Sequence, residues 1–159
     1  MNKVAVTGIG PINAIERRTE EFISALRAMR CGIEKITQFD CSDYPAAMAA
    51  EIKDFSPEQH FELKIANRYD RFLQLGIVAA RNAISDAGLE PSGSWRENAA
   101  VTVSSGIGGF KTLHREYGNL FKRGPKAVRP HLIPMMISDM ASGAIALDLG
   151  CHGPNFGVV

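Results

Sequence analysis

An α/β fold of layered helices and sheet is predicted from three stretches of this chain. Ala99–Phe110 passes from an apolar run rich in Val and Thr into serines and glycines, and Lys111–Tyr117 follows with helical character: a strand, a tight turn and a helix start. Lys3-Val-Ala-Val-Thr7 reads as another short apolar strand, and a helical pattern follows it. Asp70–Gly88 carries the longest helical signal. Strands alternating with helices are the signature of a sheet covered by helices.

Taken in order, the first strand ends at Gly8-Ile-Gly10 and Pro11, which places the start of the chain inside its sheet. Thr19–Met29 is an expected amphipathic helix: Thr19 is a plausible N-cap, Glu20 and Glu21 lie in the first turn, and Phe22, Leu26 and Met29 recur at helical spacing. Its expected stop is Gly32. From Cys31 to Pro57 the periodicity is poor, and a surface excursion is expected, with Ala49–Lys53 as a short edge strand. The charged segment from Glu62 to Arg71 reads as a solvated face. In the next helix Phe72, Leu73, Gly76, Ile77, Ala80 and Ile84 form a broad apolar face, and Gly88 closes it as a C-terminal cap. Gly76, Ala79, Ala80 and Ala83 are small enough for a neighbouring backbone to come close.

Val101 and Val103 have the β-branched character of a buried strand, and Gly106, Gly108 and Gly109 permit a positive φ or a close backbone approach. Neither G-x-G-x-x-G nor G-x-x-x-x-G-K-[ST] is present, so the glycines do not spell a nucleotide-binding loop, and taken alone they read first as a tight turn packed against a neighbouring strand. Lys111–Lys122 is expected to be a helix anchored by Leu113, Tyr117, Leu120 and Phe121. Arg129–Pro134 is expected to be extended around its two prolines. Met135–Leu149 then resumes a helical pattern, with Met135, Met136 and Met140 suited to a core or an interface. Gly150–Val159 is a turn leading into the first residues of another strand, and ending there hints at chain missing downstream.

The composition bounds the function. With 159 residues, 45% hydrophobic and 22% charged, the chain can bury one sizeable core, and its net charge of +1 offers no electrostatic case for nucleic acid or an anionic membrane. Lys122-Arg-Gly-Pro-Lys126 is the one compact basic cluster, either a solvated loop or a docking patch for an acidic partner. No membrane span or signal peptide is recognisable, so a cytoplasmic location is expected. Cys31, Cys41 and Cys151 lack disulfide or zinc spacing and read as free thiols; His60, His114, His131 and His152 are scattered. No metal and no cofactor are expected.

Together, Val4-Ala-Val-Thr-Gly-Ile-Gly10, Phe39-Asp40, Asp70-Arg-Phe72, Asp86-Ala-Gly88, Ser105-Gly-Ile-Gly-Gly109, Pro130 with Pro134, and Gly153-Pro-Asn155 resemble, in this order, the N-terminal half of the β-ketoacyl-acyl-carrier-protein synthases, especially the type II enzymes. The resemblance runs along essentially the whole chain, and one departure is the shortened Pro11–Ile15 segment. It implies a thiolase-like layered α-β-α core, of which residues 1–159 form an incomplete N-terminal half that stops before the turn carrying the nucleophile. It also implies a decarboxylative Claisen condensation, in fatty acid or polyketide biosynthesis, between acyl and malonyl thioesters of an acyl carrier protein, by a homodimer or heterodimer.

In the family a cysteine thiolate takes the acyl group and two histidines polarise the malonyl thioester. The four histidines and three cysteines here match none of these, so no catalytic residue is expected in this piece and by itself it is expected to be inactive. By resemblance Gly106 and Ile107 lie beside the acyl chain, with Ile107 gating the deep end of its pocket, and Leu132, Ile133 and Ile137 match positions that one subunit lends to its neighbour's tunnel. Ordinary core is an equally good reading of these aliphatics. The main alternative function is a non-catalytic partner subunit resembling a chain-length factor, which the residues encoded after Val159 would distinguish: Thr-Ala-Cys for the enzyme, another residue in place of the cysteine for the partner. A nucleotide-binding α/β domain ranks last.

Overall fold

A computed structural model describes residues 3–159. The elements in chain order are α1 (Thr19–Arg27), β1 (Ile33–Lys35), β2 (Met48–Ala50), α2 (Leu63–Ala66), α3 (Arg71–Asp86), β3 (Val101–Ser104), α4 (Phe110–Arg123), α5 (Leu132–Met136), α6 (Met140–Leu149) and β4 (Asn155–Val158). β3 and β4 pair in parallel, with Val101 opposite Asn155 and Ser104 opposite Val158. Parallel neighbours need a crossover, and α4, α5 and α6 supply it. β1 and β2 form a separate antiparallel ribbon.

The core lies where α3 packs on α6 and α6 on the β3–β4 pair. Leu73, Ile77 and Val78 of α3 meet Ala141, Ala144 and Ile145 of α6, Phe55 and Phe61 close one end, and Val101 and Val103 pack against the cluster. Of the expected apolar face of α3, Leu73 and Ile77 are buried while Phe72, Gly76, Ala80 and Ile84 are half-buried, and the buried arc is rotated to take in Gln74 and Val78, where Gln74 Nε2 donates to Ala66 O at 2.9 Å. α6 is apolar around most of its circumference, as suits a helix between a sheet and another helix. Both helices end on a glycine in the left-handed region. Gly88, at φ 64°, donates to Ser85 O while Leu89 N–H reaches Ile84 O; Gly150, at φ 67°, lets Cys151 N–H reach Ala146 O.

Several expectations are corrected. Lys3–Thr7 is not a strand: it has no ladder partner among the described residues, and Val4 is 95% exposed. A strand exists only when another chain segment takes its N–H and C=O groups, and among the described residues β3 and β4 pair only with each other. The segment instead leads onto α3. A Cβ on Gly8 would lie 2.3 Å from Ala83 O and one on Gly10 2.0 Å from Ala79 O, so these glycines meet the small residues of α3 backbone to backbone.

Thr19 is not the N-cap of α1. Arg18 holds that place, and the Thr19 hydroxyl donates to Ile9 O at 3.0 Å. The helix also stops before Gly32, because Met29 takes φ 52° and lets Arg30 N–H close on Ala25 O. β1 was not expected at all, and its partner β2 begins one residue before the expected edge strand.

Of the expected anchors of α4, Leu113 is half-buried, but Tyr117, Leu120 and Phe121 do not anchor the helix. Phe121 is 80% exposed, Tyr117 and Leu120 are exposed too, and the buried residues are Thr112 and Glu116. Polar bonds set this rotation: Thr112 N–H donates to Asp70 Oδ2 at 2.9 Å, and Arg129 N–H to Glu116 Oε2 at 3.0 Å. Asp70 thus departs from the solvated character expected for Glu62–Arg71. Arg129–Pro134 is not extended throughout either, since α5 starts at Leu132 and holds Pro134 in its first turn, where a missing N–H costs nothing. Met135–Leu149 is two helices, interrupted by extended backbone at Ile137. Met135 fills core, while Met140 is exposed.

Candidate functional site

The parallel ladder ends where the glycine-rich loop begins, with Ser105 N–H donating to Val158 O at 3.3 Å. The carboxyl ends of parallel strands are the usual ligand-binding edge of α/β sheets. Ser105 Oγ accepts Gly108 N–H at 3.0 Å and so curls the loop back on itself. Gly108 then takes φ 72°, and a Cβ there would lie 2.3 Å from Met136 O. At Gly109 a Cβ would lie 2.1 Å from Met135 O, while the Gly109 N–H donates to Met136 O at 2.8 Å. Only glycine allows this seating of the loop on the end of α5. The bond also takes up Met136 O, a carbonyl at the point where α5 ends instead of running on into α6.

This clasp brings together two of the segments singled out in the sequence. Ile107 precedes the contact on the loop, Ile137 follows it after α5, and Leu132 and Ile133 are the first two residues of α5. Ile107 is 70% exposed, Ile133 and Ile137 are exposed, and Leu132 is half-buried. The four aliphatics are therefore surface residues of this chain rather than its core. Gly106 is exposed with nothing within 4 Å of a Cβ built on it, so only its neighbours Gly108 and Gly109 are demanded by packing.

Two carboxylates brace the site from behind. Asp70 Oδ1 accepts Phe72 N–H at 3.2 Å as the N-cap of α3, and its Oδ2 takes the amide in the first turn of α4, so one side chain caps two helices. Glu116 is 1% exposed. Burial pushes its carboxyl upward, but hydrogen bonds from Arg129 N–H, Arg115 and Asn119, with the charge of Arg115, outweigh burial and hold it below the usual carboxylate range. Neither residue was singled out as functional in the sequence. An aspartate directly before a helical run was the available signal for Asp70; Glu116 sits at an ordinary surface spacing and offered none.

The thiols lie elsewhere. Cys41 and Cys151 are buried and Cys31 is exposed. Cys151 precedes β4, at the opposite end of the ladder from the loop, and burial raises its thiol pKa while Arg96 opposes the rise. His152 pairs with Glu97 at 3.0 Å, and His60 stacks on Phe55. No group of three or more potential metal ligands is found among the described residues. No described helix is long and apolar enough to cross a membrane.

The family model described as "Beta-ketoacyl synthase, N-terminal domain" matches residues 1–159. The chain belongs to the β-ketoacyl synthase family. Among curated ketosynthases, the 3-oxoacyl-[acyl-carrier-protein] synthase 2 of Staphylococcus aureus (strain N315) is 40% identical over 154 residues, covering 96% of this chain and 37% of the relative. The protein of the same description from Coxiella burnetii (strain RSA 493 / Nine Mile phase I) is 34% identical over 157 residues, covering 99% of this chain and 38% of the relative. The chain thus spans little more than a third of the length of these relatives. Its fold superposes on a solved structure described as the ishigamide ketosynthase/chain length factor with TM-score 0.85 and 30% identity, over 97% of this chain and 39% of the other. The layered α/β core expected from the sequence is that of these ketosynthases.

Proposed function

We propose that this chain is the scaffold half of a 3-oxoacyl-acyl-carrier-protein synthase, working in the cytoplasm on acyl and malonyl thioesters of an acyl carrier protein. The nucleophilic cysteine and the two histidines of the condensation belong to sequence beyond Val159. The 159 residues contribute apolar wall and subunit contact. The observation that carries this reading is the clasp between Gly109 N–H and Met136 O, which seats the loop carrying Ile107 on the end of α5, next in sequence to Ile137, beyond the carboxyl end of β3.

In this reading Gly106 and Ile107 flank the acyl chain of their own subunit. Leu132, Ile133 and Ile137 extend toward the tunnel of a second subunit, which accounts for aliphatic side chains standing in water. The exposed stripe of Phe110, Tyr117, Leu120 and Phe121 on α4 adds to the same interface. A partner role like that of a chain-length factor has the ishigamide structure in its favour, but the relatives at 34–40% identity are named as synthases.

The test is Ile107→Phe in the full-length enzyme. Each methylene kept from an apolar wall forfeits about 0.8 kcal/mol, roughly fourfold in kcat/KM, so long primers lose far more than short ones. An unchanged chain-length profile removes Ile107 from the pocket. Covalent loading and elongation of acyl groups by the 159 residues alone would overturn the scaffold assignment.

A further inference from the structure

A cleft of about 490 Å³ lies where the carboxyl-terminal ends of α3 and α6 meet the loop carrying Trp95 and Arg96. It is remote in the fold from the glycine-rich loop, because it borders the Gly150 turn ahead of β4. Ile84, Leu89 and Leu149 give it apolar walls. The Trp95 ring forms another wall, fixed by its Nε1–H donating to Glu90 O at 2.9 Å and by Gly93, where a Cβ would lie 2.5 Å from the indole.

Two guanidinium groups line the cleft, and they differ. Arg81 is fully engaged: its Nε donates to Asp148 Oδ2 at 2.7 Å, its Nη1 to His60 O at 2.8 Å, and its plane lies over the Phe61 ring. Arg96 is half-buried, wedged against Gly150, with no ion-pair or hydrogen-bond partner for its guanidinium among the described residues. Gly150 has room for no side chain, since a Cβ there would stand 2.7 Å from Arg96 Nη1. The backbone around Arg96 is pinned as well, by His152 N–H donating to Arg96 O at 2.8 Å and by the Glu97–His152 pair. Glu90 is the remaining acid on the lining, and it is exposed, where water screens it.

We propose that this cleft binds a small organic anion, a carboxylate carried on a flat apolar body, with the carboxylate on Arg96 and the body against Trp95. Apolar walls with a few fixed polar groups are the usual form of a small-molecule site, and of the two guanidinium groups on this lining Arg96 is the one whose charge is not already matched among the described residues. A guanidinium on a pinned backbone, with no counter-ion among the described residues, supplies a charge-assisted bond that a neutral ligand of the same shape does not receive. Because this site shares no residue with Gly106, Ile107, Leu132, Ile133 and Ile137, it stands or falls separately from the condensing function.

Trp95 is the sole tryptophan of the chain and reports directly on the cleft. Titration of the full chain with 1-naphthoate is expected to quench its fluorescence saturably at millimolar concentration or below, with 1-naphthalenemethanol binding about tenfold more weakly. Arg96→Gln is expected to weaken naphthoate by about the same factor and leave the alcohol unchanged, with Arg96→Lys intermediate. Equal binding of acid and alcohol, absence of saturable quenching, or an Arg96→Gln variant that keeps full naphthoate affinity would each overturn the site. The comparison of the two ligands on the unmodified chain needs no variant, so it decides the matter even where Arg96→Gln fails to fold.

Discussion

Replacing Asp70 tests whether one carboxylate holds α3 and α4 together. The side chain is buried, its Oδ1 takes Phe72 N–H at 3.2 Å, and its Oδ2 takes the N–H of Thr112, itself 1% exposed. Asp70→Ala removes an N-cap, worth about 1 kcal/mol, and strands a buried amide, worth about 1–3 kcal/mol, for a total of about 2–4 kcal/mol. With a urea slope of about 2 kcal/mol per molar, the midpoint of denaturation should fall by about 1–2 M. Asp70→Ser keeps a good cap on α3 but is too short to span both helices, so it should recover only the capping part. Amide exchange at Thr112 should quicken in both variants. An Asp70→Ser variant as stable as the parent, with Thr112 still protected, would show that the bond between the two helices contributes nothing and refute the reasoning.

Met29 occupies the left-handed position that ends α1 and is solvent-exposed, so Met29→Gly should raise stability by about 1 kcal/mol, read as a higher urea midpoint. Gly109→Ala places a methyl 2.1 Å from Met135 O and should destabilise by more than about 2 kcal/mol, whereas Gly106→Ala, facing open space, should stay within about 0.5 kcal/mol. Thermal melts of the pair separate a packing requirement from general glycine content. Burial, aided by the charges of Arg81 and Arg17, holds His60 below its ordinary pKa, so the unfolded chain takes up its proton first as pH falls through about 6.5. Stability should therefore decline on acidification from that pH until the folded-state pKa is passed, and His60→Gln should flatten that part of the profile in denaturant titrations at successive pH values.

How much was legible in advance depends on the range of the forces involved. α3 was readable because its apolar period and its closing Gly88 are local properties of one segment, and the strand at Val101 was readable from β-branched residues ending in glycines. The break between α5 and α6 was not, because a loop more than twenty-five residues upstream makes it by drawing Met136 O onto Gly109 N–H. The face of α4 was misread for a related reason. Its apolar stripe would bury itself in isolation, but Asp70 and Arg129 tie Thr112 and Glu116 inward and turn the aromatics out.

By itself the sequence determined the helix-and-strand order around the core, the glycine hinge at 106–109 and the kinship with the condensing enzymes. These follow from period, turn chemistry and an ordered set of short motifs, all carried within contiguous residues. Tertiary structure alone decided that Lys3–Thr7 is no strand, that α4 shows its aromatics to water, and that Arg96 stands in a cleft without a partner among the described residues. Each depends on what other segments bring to the same place, and a hydrogen bond or an ion pair exists only when both of its ends arrive.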